Sequence, residues 1–375
     1  MVPFISGALT GAGFGVVLYK VGATRYSRVM GMLTLRDTKV MKFAFTAIAV
    51  ASLLYGLAAA TGVAGALHLV PRTMPFLGWA HLLGGALFGV GMGVSGLCPG
   101  TCVAKLGGRG GATKGQTPAA IAGLFVGVLV YDALKAPLTD AGIIAANQKP
   151  LTLPGMLGLP YGAVALLFGA TMLLVAFAVD RLTREREFVP ARAKTSVIDW
   201  LRGEWSWAAA GTVGGALVVL ATAQGGYLGF SGALLALTGW LASAVGLPLE
   251  VVPTINDDIM WRAALIVGVL PGGMLASALS LPSKAAVESP LPRAFHAPLV
   301  AKGFMSAAAM TLGAMIGGGC TTGAFISAWP TLSLGSFAMA GTFFAVSMAV
   351  GTGRIYISKT LDVAKAQAEG DRVYD

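Results

Sequence analysis

Apolar runs of about 18 to 23 residues, each barely interrupted by charge, recur along the whole chain. A run of that length crosses a bilayer core as a helix, and the core offers no water to satisfy a backbone left unpaired. A transmembrane barrel is excluded because the runs do not alternate apolar with polar residues. The expected fold class is therefore an all-α integral membrane protein. Only 11% of the residues are charged and 56% are hydrophobic, a balance outside the range of soluble domains. The 53 glycines suit helices that approach each other closely and backbones that break.

Candidate spans fall at residues 3–19, 40–61, 76–97, 117–135, 157–179, 204–223, 259–281, 300–318 and 332–353, about nine transmembrane helices. The first run starts at Met1 with no basic leader before it, so it reads as a retained span. Four further apolar pieces, at 22–34, 101–107, 225–247 and 320–330, are too short or too interrupted to cross and read as re-entrant or broken helices. The net charge of +10 sits in short loops: Arg25, Arg28, Arg36 and Lys39; Lys105, Arg109 and Lys114; Arg181, Arg184, Arg186, Arg192, Lys194 and Arg202; Lys284, Arg293 and Lys302. Such loops stay on the cytoplasmic side. This puts the N-terminus outside, the C-terminus inside and the acidic loop with Glu250, Asp257 and Asp258 outside, in a cell membrane. The basic charge faces the lipid bilayer, and nucleic acid is not an expected partner.

Two segments are near-copies. Gly7–Val16 matches Gly85–Val94 at seven of ten positions, four of them glycine. A looser correspondence joins the segment before Gly225-Gly226 to that before Gly318-Gly319. The chain then divides into a first half at 1–156, a connecting span and basic loop at 157–203, an inverted second half at 204–356 and a polar cytoplasmic tail at 357–375. Two inverted pseudo-symmetric halves whose broken helices meet near the midplane are a transporter plan.

The three cysteines all lie on breaks: Cys98 and Cys102 on Ser95-Gly-Leu-Cys-Pro-Gly-Thr101 and the turn after it, Cys320 within Gly317-Gly-Gly-Cys-Thr-Thr-Gly323. Amides around Gly100 and Gly319, with the hydroxyls of Thr101, Thr321 and Thr322, offer donors to a small anionic cargo. Thiols are soft, weak donors suited to contacting another sulfur, and weak binding permits release. Neutral S–H groups fit better than thiolates, which would repel an anion. Three cysteines cannot all pair, none forms a C-x-x-C, and four-residue spacing disfavours a Cys98–Cys102 disulfide.

The remaining candidates have plainer readings. Lys20 and Lys105 are positive-inside charges. His68, His81 and His296 lie near loops and read as interfacial residues rather than ligands, and Asp132 and the Asp257-Asp258 pair lie near solvated ends. Trp200, Trp205 and Trp207 read as an interfacial belt, and the methionines as packing. No Walker loop, metal triad or Ser/His/Asp order occurs, so neither a cofactor nor a metal is expected.

On Ser95–Thr101 and Gly317–Gly323 the chain resembles the YeeE/YedE sulfur-transport family, whose members take up thiosulfate or related sulfur species. The resemblance implies nine spans in inverted repeats, with short helices dipping from both faces and loop cysteines at a central constriction. It assigns that constriction to Cys98 and Cys320, with Cys102 one turn on, and implies a small cytosolic sulfur-carrier protein as partner. Family members commonly carry a further cysteine earlier; here Lys20 aligns with Cys98 and no cysteine precedes it. Three functions follow: a permease for thiosulfate or a similar anion, a soft-metal (copper or zinc) transporter using cysteines with Met92 and Met315, or a membrane sulfur-transfer enzyme forming a persulfide on Cys98.

Overall fold

The computed structural model describes residues 2–107, 116–145, 149–183, 197–252, 254–280 and 297–371. Arg109, Lys114, Arg184, Arg186, Arg192, Lys194, Lys284, Arg293 and His296 lie outside the described residues. Among the described residues the chain is helical, with two isolated β-bridges and no sheet.

In chain order the helices are α1 (Val2–Val21), α2 (Tyr26–Leu33), α3 (Lys39–Ala60), α4 (Ala80–Ser95), α5 (Pro99–Leu106), α6 (Gln116–Asp140), α7 (Leu153–Leu157), α8 (Tyr161–Thr183), α9 (Val197–Arg202), α10 (Trp207–Ala223), α11 (Phe230–Ala244), α12 (Asp257–Leu279), α13 (Ala297–Gly317) and α14 (Leu334–Asp371), with a π-helical turn at Thr321–Ser327 and a 3-10 turn at Trp329–Thr331 between the last two. Eight segments are long and apolar enough to cross a membrane, α4 and α5 counting as one; α10 and α11 are shorter apolar helices. The spans at α6 and α8 bury only 28% and 22% of their apolar windows, against 61% for α3. An apolar helix left open over most of its surface requires lipid around it.

The four pieces too short to cross each hold a short helical segment between two long helices: α2, α5, α11 and the π-helical turn. Their N-cap residues, Arg25, Cys98, Gly229 and Cys320, all have extended backbone, so the chain breaks in the same way four times. Beyond 357, where the sequence suggests a polar tail, α14 simply continues to Asp371.

Packing pairs recur across the molecule. Helix α1 packs on α12 and α3 on α10; α6 packs on α13 and α4 on α14; α4 and α13 also meet each other. The near-copy segments explain the first helix of two of these pairs. A Cβ on Gly7, Gly11 or Gly15 would strike the backbone carbonyls of Trp261, Leu265 and Val269 on α12. One on Gly85, Gly89 or Gly93 would strike Thr342, Val346 and Val350 on α14. Glycine every four residues is thus the contact stripe of both α1 and α4.

Charge concentrates at one end. Glu204, between α9 and α10, receives Arg25 in direct ion-pair contact, Lys39 at 3.4 Å and Arg28 at 3.6 Å. Lys42 is fully buried and reaches Asp180 at 2.7 Å. Lys20, also buried, donates to Ser280 Oγ at 2.7 Å and to the Arg202 carbonyl at 3.4 Å. The opposite end is closed by loop-to-loop bonds, Phe76 N–H to Lys149 O and Leu153 N–H to Leu332 O.

Candidate functional site

The break at Cys98 is built by its neighbours. Helix α4 ends on Gly96 in the left-handed region (φ 63°), and a Cβ there would collide with the Tyr26 ring. The Arg354 guanidinium donates to the last carbonyls of α4, Gly93 O and Val94 O. Pro99 then opens α5, where its missing N–H costs nothing. Cys98 caps that helix reciprocally: its N–H donates to Thr101 Oγ1 at 2.7 Å, while its sulfur accepts from the Thr101 backbone.

The break at Cys320 follows the same logic. Helix α13 ends before Gly318, at φ 89°. The Gly317 carbonyl accepts a 2.9 Å bond from His81 Nδ1, while His81 Nε2 accepts from Leu77 N–H at 2.9 Å, which fixes the Nδ1–H tautomer. His81 stands at the start of α4, beside the preceding loop, and is fully buried; the interfacial reading expected from the sequence is corrected, because its two ring nitrogens satisfy backbone groups at a helix end. Cys320 caps the π-helical turn, its carbonyl accepting from Ala324 N–H at 2.7 Å.

These two breaks meet. The Cys98 thiol shares a hydrogen bond with the Thr321 hydroxyl and lies within electrostatic reach of Cys320. All three cysteines are unpaired by disulfide and buried: Cys98 is 8% exposed, Cys102 1% and Cys320 0%. Cys102 sits one turn beyond Cys98, between it and Lys105, a cation in the last turn of α5 suited to a helix C-terminus. Thr101 and Thr322 are buried with them. Gly100 touches the Phe230 ring so closely that no Cβ would fit, and Gly319 presses on Ala324.

Towards the end opposite the basic cluster a cavity of about 310 Å³ opens, lined by His68, Arg72, Thr222, Gly225, Tyr227 and Arg262 among others. The Arg72 guanidinium stands 5.0 Å from the centre of the Tyr227 ring. Arg262 is held by Asp258 one turn earlier on α12, at 2.7 Å. Neither Tyr227 nor Arg262 is among the candidates drawn from the sequence. Their signals were an arginine inside an otherwise apolar span and a tyrosine between the glycines of Gly225-Gly-Tyr-Leu-Gly229.

Other candidates prove structural. Asp132 lies within α6 and accepts from Val251 N–H at 2.9 Å, tying down the loop before α12. Trp205 and Trp207 are buried, and Trp205 stacks on Trp200 at 4.4 Å, so these rings pack inside rather than forming an interfacial belt. Met92 and Met315 are buried in the core, and among the described residues no three His, Cys, Asp or Glu side chains converge as a metal site.

A bundle of membrane-length helices interrupted by four breaks with extended backbone, two of them joined at buried thiols, makes this a polytopic membrane protein organised around a cysteine-bearing centre. The chain belongs to the Sulphur transport family, whose model matches residues 26–351. It is similar to the thiosulfate transporter TsuA of Spirochaeta thermophila, at 25% identity over 355 residues, covering 90% of this chain and 95% of that protein.

Proposed function

We propose that this protein takes up thiosulfate or a related small sulfur-containing anion through a central constriction formed by Cys98 and Cys320, and that it is a transporter rather than an enzyme. The observation that carries the reading is the contact of the Cys98 thiol with Thr321, beside Cys320, which brings two distant breaks to one place. The cargo enters from the cavity with Arg72 and Arg262, where cations in a partly enclosed site concentrate anions. It then meets neutral thiols as transient donors, with the Thr101, Thr321 and Thr322 hydroxyls and the amides near Gly100 and Gly319 completing the contacts. Cys102 and Lys105 line the way on.

The exchange of packing partners supports two related halves, 1–156 and 204–356, joined through α8 and the basic segment up to 203. Counting α10 as a crossing gives nine, and an odd single crossing between the halves inverts one against the other. The cluster of Arg25, Arg28, Lys39 and Lys42 marks the cytoplasmic end, with the N-terminus outside and the stretch from 357 inside. A small cytosolic sulfur carrier would receive the cargo there.

The test is uptake of radiolabelled thiosulfate into proteoliposomes, with sulfate as competitor. Uptake in the wild type, lost in Cys98→Ala and Cys320→Ala while both variants remain in the membrane, is the expected result. Full uptake by both variants, or a preference for sulfate, defeats the thiol mechanism.

A further inference from the structure

We infer that Tyr227 is a gate between the basic cavity and the cysteine-bearing breaks, and that Arg72 is the part of it that senses the cargo. This rests on the passage proposed above and adds a residue that decides what enters it. Tyr227 lines the cavity on one side. On the other, its phenol oxygen lies 2.7 Å from where a Cβ on Gly323 would stand, inside the same break that carries Cys320, and it is within electrostatic reach of that thiol. Gly229 leaves the slot for the ring, since a Cβ there would strike it. A solute leaving the cavity toward Cys320 therefore meets the face or edge of this ring.

Arg72 is exposed and stands over the ring, whereas Arg262 is engaged by Asp258. A cation–π contact at an exposed site is weak, and an oxyanion that takes a guanidinium through two parallel hydrogen bonds competes with it. An oxyanion in the cavity draws Arg72 off the ring and frees Tyr227 to swing. Chloride, a single spherical charge, offers no such paired geometry and leaves the ring in place. The ring thus excludes small inorganic ions from the thiols until an oxyanion is bound.

The experiment follows chloride leak from proteoliposomes with a chloride-sensitive dye, beside thiosulfate uptake in the same preparations. The wild type is expected to hold chloride, Tyr227→Ala to leak about ten-fold faster, and Tyr227→Phe, which keeps the ring, to leak no more than the wild type. An unchanged leak in Tyr227→Ala overturns the gate, as does a leak in Tyr227→Phe equal to that of the alanine variant. Should Tyr227→Ala not be recovered folded, Arg72→Gln decides: with no guanidinium over the ring, chloride is expected to leak several-fold faster than in the wild type even without an oxyanion, and thiosulfate half-saturation to rise several-fold; a chloride-tight Arg72→Gln overturns the sensing role. Chloride leak reads the gate whatever the cargo. A chloride-tight wild type with a leaking Tyr227→Ala but no thiosulfate uptake supports the gate and overturns only the choice of cargo.

Discussion

The Cys98 thiol and the Thr321 hydroxyl share a hydrogen bond although they belong to breaks after α4 and α13, helices from opposite parts of the chain. Each break is further fixed by a side chain from elsewhere, Arg354 for the first and His81 for the second. The thiols therefore sit on backbone that is positioned in advance, so the S–H contacts proposed for the cargo would cost little to order.

Thr321→Val removes the hydroxyl that joins the two breaks while keeping the side-chain shape. Loss of one hydrogen bond between neutral groups corresponds to about a five- to ten-fold fall in thiosulfate uptake. Thr321→Ser should retain uptake near the wild-type level. Equal uptake by the valine variant and the wild type in proteoliposomes would show that the contact is incidental.

Gly100→Ala places a methyl group in the Phe230 ring, and α5 cannot retreat because Gly273 and Gly107 already bring it against α12. Overpacking of this kind costs about 1–3 kcal/mol. A lower melting temperature in detergent is expected, with recovery in the Gly100→Ala/Phe230→Leu double variant, where the smaller side chain yields the space. Absence of recovery would point to strain in the backbone of α5 instead.

Much of this architecture is legible in the sequence because its causes are local. Hydrophobic length set the long helices, and glycine or proline next to a cysteine marked two of the four breaks. The pieces at 22–34, 225–247 and 320–330 each contain the short helical segment seen in the fold, and the piece at 101–107 overlaps one that starts two residues earlier, at Pro99. What was not legible depends on partners far away in the chain. His81 looks like a loop histidine until Gly317 is beside it, Trp205 looks interfacial until Trp200 stacks on it, and Tyr227 has no visible role until Arg72 stands over it. Side-chain type alone does not say which backbone it will meet.

His81→Phe fills the same space but leaves the Leu77 N–H and the Gly317 carbonyl without partners in a buried site. Each orphaned group costs about 1–3 kcal/mol. The variant is expected to be less stable and, because Gly317 leads into Gly318 and Cys320, to lose uptake more than its stability loss explains. Measuring uptake per folded protein by fluorescence-detected chromatography separates the two effects.

The Glu204 cluster makes stability depend on acid. Burial by itself would raise this carboxyl, but Arg25, Lys39 and Arg28 together outweigh burial and hold it below the ordinary carboxylate value of 4.5. The folded pKa is depressed relative to the unfolded chain, so the stabilisation is fully present above 4.5 and is lost as pH falls through the lower folded value. Glu204→Gln should melt lower than the wild type at neutral pH, and the difference should narrow on acidification below that range. A constant difference down to strong acid would mean that the charge of Glu204 is not what holds α2, α3 and α10 together.

Arg262 tests whether the cavity attracts its cargo by charge. Screening reaches about 10 Å at 0.1 M salt but only about 3 Å at 1 M, so a long-range attraction fades over that interval whereas a direct contact persists. Arg262→Gln removes one cation and also releases Asp258, which then repels an anion. Half-saturation for thiosulfate should rise about three-fold or more at low salt, in keeping with steering by a small number of charges, and approach the wild-type value at 1 M. The Asp258→Asn/Arg262→Gln double variant should fall between the two at low salt, because the repulsive carboxylate has gone with its partner. A difference from the wild type that is the same at both salt concentrations would make Arg262 a direct ligand of the cargo instead of a source of field.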